Sequence, residues 1–370
     1  MPANRIDLVF DTTKSPSIKD MERDHRTEEE RALPIKLTGP NQRTPSDLKK
    51  FLRNDSFKQE IVRFSSEEFE DDSLAEVYGE KVVRIGAEST CFLYKVHNGK
   101  VIKQEDHELS CPQHEEADTK MLVHVASIPC PATVVIRTSD TDVLVIALGN
   151  SSKFPDCQLY LEVGHKRNNT LRFIDITSLS MKLGSTLCKA LSGFHAFTGS
   201  DYTPAFSYKG KVRPLKILEK NDKYMEAFGL LGSSESLSTA LVSDIEEFVC
   251  EMYGNKRLSS VNEARFLGFM KVLLPPCSSV LMQQIMRANC ICSIWNHANE
   301  KKPSIFNPEK NGWILRDNKF TPNWFIGELT PPTLQDMLAP EEVIDSEDDE
   351  DTTSHCEENE FDGDSTFEDE

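Results

Sequence analysis

The sequence predicts an α/β protein with a mainly parallel central sheet flanked by helices, followed by a helical C-terminal part and an acidic tail. Three observations carry this. Short β-branched runs such as Thr133-Val-Val-Ile-Arg-Thr have strand composition. Segments such as His114–Val125 have helical spacing and lie between them. Strands that alternate with helices imply a parallel sheet covered on both faces.

The elements follow in order. Ile6-Asp-Leu-Val-Phe-Asp11 is an apolar run ending on an acid and reads as a buried strand. Residues 12–78 interleave basic and acidic side chains with few large apolar ones. They read as a mobile, basic, helical insertion lying over something else. Between Lys81 and Asp106, two β-rich runs, Val82-Val-Arg-Ile and Phe92-Leu-Tyr-Lys-Val, flank a hairpin signal at His97-Asn-Gly. In the helix that opens at His114, Ala117, Met121, Leu122 and Val125 share a face. Its acids lie in the first turns, where the helix dipole favours them. Pro129 and Pro131 end it, and Ser139-Asp-Thr-Asp closes the next strand before the apolar run Val143–Leu148. Gln158-Leu-Tyr-Leu-Glu-Val pairs with Leu171-Arg-Phe-Ile-Asp through Gly164–Asn169. Helical spacing returns at Ile176–Leu191. From Pro204 to Leu274 the chain reads as amphipathic helix with a break at Gly229–Ser234. The segment 276–338 contains all three Trp and several Pro and reads as a small appendage; 339–370 reads as disordered on composition. The main domain is therefore expected over 1–275, with 204–274 its helical part.

Composition narrows the function classes. With 38% hydrophobic residues, 17 Gly and 19 Pro in 370, collagen-like and wholly disordered chains are excluded. The net charge of −19 is mostly local: from Glu341 onward there are 16 acids and no Lys or Arg, so residues 1–340 carry only −3. Charge thus says nothing about nucleic-acid binding by the folded part. No apolar run approaches the roughly 20 residues that span a bilayer, and the first residues lack the pattern of a signal peptide. The ten Cys lack paired CxxC spacing, which predicts reduced thiols in an intracellular protein.

Carboxylates recur at the ends of these elements: Asp11, Glu116 and Asp118, Asp140 and Asp142, and Asp201 in Gly-Ser-Asp-Tyr. Singly, such acids are turn formers or helix caps. In open α/β sheets, however, ligands bind beyond the carboxyl ends of the strands. Acids converging there repel one another unless cations neutralise them. Oxygen-only ligand sets suit Mg²⁺ or Mn²⁺, and two such ions about 4 Å apart can activate water against a phosphodiester.

The order Val-Phe-Asp, Ser-Ile-Lys-Asp-Met-Glu-Arg, Glu-Glu-Ala-Asp, Ser-Asp-Thr-Asp-Val-Leu and Thr-Gly-Ser-Asp-Tyr-Thr resembles the flap-endonuclease/XPG branch of the PIN-like nucleases. The same motifs resemble a group of mobile-element-associated animal proteins. The nuclease resemblance covers about residues 1–230. It implies that Asp11, Glu116, Asp118, Asp140, Asp142 and Asp201 are metal-site carboxylates, with Asp11 in the outer sphere. It also implies that Lys19, Arg23 and Arg26 lie in a basic arch and touch the scissile phosphate. Three departures stand beside it. The family's first acidic strand would precede Ile6, where only five residues stand, which is expected of an N-terminally shortened copy. The family's glycine-rich hairpin is replaced by Ser207-Tyr-Lys-Gly-Lys-Val-Arg-Pro, and no sliding-clamp box follows.

In that replacement, Lys209, Lys211 and Arg213 are candidate contacts to a nucleic-acid backbone. His114 and His195 lie beside the acids and could orient a water or a phosphate. A haloacid-dehalogenase reading fails because Thr13 stands where a second Asp is needed; no phosphate loop, dinucleotide fingerprint or nucleophile elbow is present. The expectation is a Mg²⁺- or Mn²⁺-dependent phosphodiesterase acting on nucleic acid, DNA before RNA. The alternative is an inactive nuclease-derived binding protein, motivated by the missing strand. Nuclear residence follows only from the substrate class, and oligomeric state is not encoded in these features.

Overall fold

A computed structural model of the chain describes residues 3–22, 36–39, 41–52, 54–268, 270 and 273–327. Arg23, Arg26 and all of the acidic tail lie outside them. The chain divides after Ile326, and everything below concerns the unit Met1–Ile326.

The first sheet is mixed. β1 (Arg5–Val9) runs parallel to β2 (Val82–Ala87), with Arg5 opposite Val82 and Val9 opposite Gly86. β2, β3 (Thr90–His97) and β4 (Lys100–Glu105) form an antiparallel meander. The expected turn lies between β3 and β4: Asn98 and Gly99 both have positive φ, as a tight right-twisted hairpin requires. The short helix α1 (Leu48–Phe51) precedes two helices that pack on this sheet, α2 (Asp55–Glu68) and α3 (Ala75–Tyr78). Phe57 and Ser66 of α2 are buried, and the Tyr94 hydroxyl of β3 donates to the Ser66 carbonyl at 2.7 Å. The described part of 12–78 is thus fastened to the meander. A few well-spaced apolar residues (Phe57, Phe69, Leu74, Tyr78) suffice to anchor a segment that is polar on average.

The second sheet pairs β5 (Ala132–Arg137) parallel to β6 (Cys157–Val163), and β6 antiparallel to β7 (Arg172–Asp175). The β6–β7 hairpin is the one read from the sequence. Gly164 makes it possible, since a Cβ there would stand 2.3 Å from the Thr170 carbonyl oxygen. Among the described residues the sheets are therefore mixed rather than mainly parallel. Strand composition marks strands but carries little information about the direction of their partners.

Between β5 and β6 lies helix α5 (Thr141–Asn150), whose interior is the apolar run Val143–Leu148. Helix α4 (Ala117–Ala126) precedes β5. After β7 come α6 (Ile176–Leu183), α7 (Ser185–Thr198), α8 (Val212–Leu218), α9 (Asp222–Leu230), α10 (Thr239–Met252), α11 (Val261–Leu267) and α12 (Ser278–Asn296). Phe194, Phe228 and Phe248 meet edge to face at centroid distances of 5.0–6.3 Å and centre the main core. Gly193 lets α7 approach α9, because a Cβ there would lie 2.1 Å from the Phe228 carbonyl oxygen.

Two expectations are corrected. The segment read as an appendage supplies α12, which buries Leu281, Ile285, Ala288, Ile291 and Trp295 in the main core. That helix buries polar Gln283, Gln284, Arg287, Asn289 and Ser293 along with its apolar residues, so its sequence shows no clean amphipathic stripe and its depth is hidden. Among the described residues a 3-10 turn (Pro308–Lys310) and the hairpin β8 (Trp313–Arg316) and β9 (Lys319–Pro322) follow it. Cys130 and Cys157 form a disulfide where reduced thiols were expected. Their separation of 27 residues matches no motif; the start of β5 and the start of β6 bring them together.

A candidate metal centre at the ends of β1, α4 and α5

The segments that carry the acids are tied together by backbone and side-chain bonds. β1 ends at Val9, and the chain turns past Asp11 onto the first turn of α4. Asp11 Oδ1 accepts the Ala117 N–H at 2.8 Å, so the acid caps the helix and gains from its dipole. The Thr12 N–H donates to the Glu115 carbonyl at 2.6 Å. Behind them Lys120, only 2% exposed, donates to the carbonyls of Phe10 and Glu88, each at 2.9 Å, and to the Thr12 hydroxyl. This buried ammonium fixes the two residues that flank Asp11. Its place in α4, one turn after Glu116 and on the inner face, was the signal in the sequence for a role that the reading above did not assign.

Helix α4 starts at Ala117, which puts Glu116 at its N-cap and Asp118 in its first turn. Asp140 is the N-cap of α5 and accepts the Asp142 N–H at 2.9 Å. The two helix starts bring Asp118, Asp140 and Asp142 together: one carboxylate oxygen of each lies within 4.8 Å of the other two. Asp201 stands in a turn closed by Ser200 and Thr203, whose backbones exchange bonds of 3.0 and 3.2 Å. Asp11, Lys19, Glu116, Asp118, Asp140 and Asp201 line one cavity of about 800 Å³, which continues along α2 and the meander. Asp142, which is buried, is not among the lining residues.

The electrostatics are those of crowded acids. Burial, then Asp140 and Glu116, push the Asp118 carboxyl up to about 8. Burial also holds the Glu116 carboxyl above the usual range, although Lys19 opposes this. Burial works against the Lys19 charge too, but Glu116, Asp201 and Asp118 outweigh it and keep its pKa above that of an ordinary lysine. Lys19 Nζ is 2.5 Å from Glu116 Oε2, 3.6 Å from Asp201 Oδ2 and 4.5 Å from the centre of the Tyr202 ring. No family model, curated protein or solved structure matches this chain. What the site can do therefore has to be argued from its own groups.

A second layer supports Asp142. His195 Nε2 is 2.8 Å from Asp142 Oδ1, and Lys211 Nζ is 2.7 Å from His195 Nδ1. Lys211 also donates to the Gly199 carbonyl at 2.5 Å. An ammonium only donates, so Nδ1 accepts and the Nε2–H donates to Asp142. Burial, opposed by the Asp142 charge, brings Lys211 down to about 8. Lys211, read as a substrate contact, thus faces inward behind the acids. Lys209 lies over the Tyr253 ring at 4.3 Å and Arg213 is exposed on α8; neither lines the cavity. His114 is buried, with Thr119 Oγ1 at 2.9 Å and the Glu300 carbonyl at 2.6 Å, so both ring nitrogens are engaged away from the acids.

Proposed function

We propose that this chain is a divalent-metal-dependent phosphodiesterase acting on nucleic acid, DNA before RNA, with a PIN-like arrangement of its acids. The observation that carries the reading is the meeting of Asp118, Asp140 and Asp142 beside a cavity that Asp11, Glu116 and Asp201 also line. The donor set fits Mg²⁺ or Mn²⁺. It is all oxygen, since the neighbouring His195 imidazole donates its Nε2–H to Asp142, and a carboxyl pushed to about 8 is one that needs a cation to ionise at neutral pH. Asp118, Asp140 and Asp142 would hold the metal.

Such a metal, when bound, supplies Lewis acidity toward a phosphoryl oxygen and lowers the pKa of water. The chain's own residues do the rest. Asp11 stays tied to the Ala117 N–H and orders the first turn of α4. His195 and Lys211 hold Asp142 in one orientation. Lys58 and Arg63 on α2 and Lys103 on β4 add positive charge to the cavity lining beside the acids.

The test uses end-labelled flap and hairpin DNA, with matched RNA, in Mg²⁺ and in EDTA. The wild type should cleave at least one of them in an EDTA-sensitive manner. Asp140→Asn should lose cleavage by a factor on the order of 10² or more while binding as well or better. Wild-type rates in Asp140→Asn would refute the assignment, and EDTA-insensitive cleavage would refute the metal dependence.

A further inference from the structure

We propose that a second cavity, at the contact of the turn 204–207 with α12 and Trp324, binds a small organic carboxylate: the anionic end pairs with Arg287, and the apolar body lies among Phe206, Tyr253 and Trp324. The proposal is independent of the function proposed above.

The observation behind it is a buried charge without a counter-charge. Arg287 of α12 is 1% exposed. Among the described residues the arginines in ion pairs are Arg5, Arg63, Arg84 and Arg137, and Arg287 is not one of them. Burial, with no acid to oppose it, brings its guanidinium down to about 10. All its hydrogen bonds go to neutral groups. Nη1 donates to the carbonyls of Gly312 at 3.3 Å and Asn323 at 2.8 Å, and Nη2 donates to Gln284 Oε1 at 3.2 Å. Nε is buried and has no partner. Of the five N–H donors of a guanidinium, three are thereby used. Nε and Nη2 form one two-pronged edge of the group, and on that edge the Nε–H and one Nη2–H remain. A buried charge with no anion and a buried donor with no acceptor are both unfavourable, and a carboxylate on that edge relieves the two together.

The guanidinium is held before any ligand arrives. Gly312 has φ +85°, and a Cβ there would stand 2.9 Å from Arg287 Cγ, so only glycine lets the start of the β8–β9 hairpin close on this side chain. The Trp324 ring centre is 5.1 Å from Cζ. Gln284, which accepts from Arg287, donates in turn to the carbonyls of Phe197 and Pro204 at 2.8 and 2.9 Å.

The lining decides the class of ligand. The cavity has a volume of about 210 Å³. Buried Gln284 and Arg287 form its inner end, exposed Pro204 and half-exposed Trp324 its mouth, and no acid lines it. Lys209 lies over the Tyr253 ring at 4.3 Å but does not line the cavity. One guanidinium matches one negative charge. A phosphomonoester brings nearly two, and a phosphodiester within a strand has two ester arms that so small an inner end does not admit. A carboxylate is compact and singly charged, and it meets the edge of a guanidinium with two parallel bonds. The walls of Phe206, Tyr253, Pro276 and Trp324 favour an apolar or aromatic body behind it.

The probe is benzoate, with benzamide as its uncharged isostere and inorganic phosphate as a competing anion. Each is titrated into the full chain while the arginine Nε–H and tryptophan indole N–H resonances are followed. Benzoate should give saturable shifts at Arg287 Nε–H and at the Trp324 indole, but not at the indole of buried Trp295. Benzamide should bind about 10-fold more weakly or worse. Arg287→Lys keeps the charge and loses the fork, and should weaken benzoate by about 10-fold or more. Trp324→Ala leaves the hydrogen bonds of Arg287 in place and is the second variant if Arg287→Lys does not fold; it should weaken benzoate by about 3-fold or more. No saturable shift with benzoate, equal binding of benzoate and benzamide, tighter binding of phosphate than of benzoate, or wild-type affinity in a folded variant would each overturn the proposal.

Discussion

Changing Asp118 to Asn should produce opposite effects with and without metal. In chelator, the folded protein holds this carboxyl up to about 8, against an ordinary 3.8. Its folded form therefore binds more protons than its unfolded form between those values. A raised acid pKa makes stability fall as pH rises across that window, from about 4 to about 8. At pH 7 the cost is about 4 kcal/mol as an upper bound, at 1.36 kcal/mol per pKa unit. Geometry gives a similar figure. Two ionised carboxylates whose oxygens lie within 4.8 Å of each other repel by about 3.5 kcal/mol at that outer limit and an effective dielectric constant of about 20. Water and salt reaching the partly open cavity reduce this to about 2 kcal/mol.

Asparagine keeps the shape and removes the charge. In EDTA at pH 7, Asp118→Asn should melt roughly 4–8 °C above the wild type, at about 2–4 °C per kcal/mol. The difference should widen toward pH 8 and vanish near pH 4. In saturating Mg²⁺ the wild type should gain about 2.7 kcal/mol at a concentration 100-fold above Kd, and Asp118→Asn should gain little. Differential scanning fluorimetry over pH 4–9, with EDTA or Mg²⁺, reads all of this. A variant less stable than the wild type in EDTA, or one that gains as much from Mg²⁺, would refute the reasoning.

Further outcomes follow from the surroundings. His195→Phe should weaken Mn²⁺ binding by about 10–100-fold through loss of the bond to Asp142. His195→Asn, which can still donate, should recover part of it, and calorimetric titration distinguishes the two. Lys120→Met strands the carbonyls of Phe10 and Glu88 and should cost about 2–4 kcal/mol in urea unfolding; an unchanged midpoint would deny its clamping role. Gly193→Ala drives a methyl group into the Phe228 carbonyl and should cost at least 1–3 kcal/mol, whereas wild-type stability would show that α7 and α9 can separate freely.

The acids were legible because each sits at the end of an element whose start the sequence signals. Asp140 and Asp142 lie between a β-branched strand and an apolar run, and Glu116 and Asp118 open a run with helical spacing. Their meeting required only that those ends face one another. The β6–β7 and β3–β4 hairpins were legible for a similar reason, since Gly164 and Asn98-Gly99 fix them locally. What depended on distant partners was not. The parallel pairing of β1 with β2 joins residues more than 70 positions apart, and nothing in Arg5–Val9 states which strand it will meet. Helix α12 mixes polar and apolar residues on its buried sides, and Cys130 meets Cys157 only because β5 and β6 are neighbours. Lys211 misled for another reason. A lysine in a basic, glycine-containing stretch reads as a solvent-facing cation, yet the Asp142–His195 pair draws it inward.

The most direct measurement is a crystal of the wild-type chain soaked in Mn²⁺, with diffraction recorded at an energy where manganese scatters anomalously. An anomalous peak bounded by the carboxylates of Asp118, Asp140 and Asp142, with Mn–O distances of about 2.2 Å, is the expected result. Those three side chains splayed apart around no peak, at a Mn²⁺ concentration that saturates binding in solution, would contradict the account.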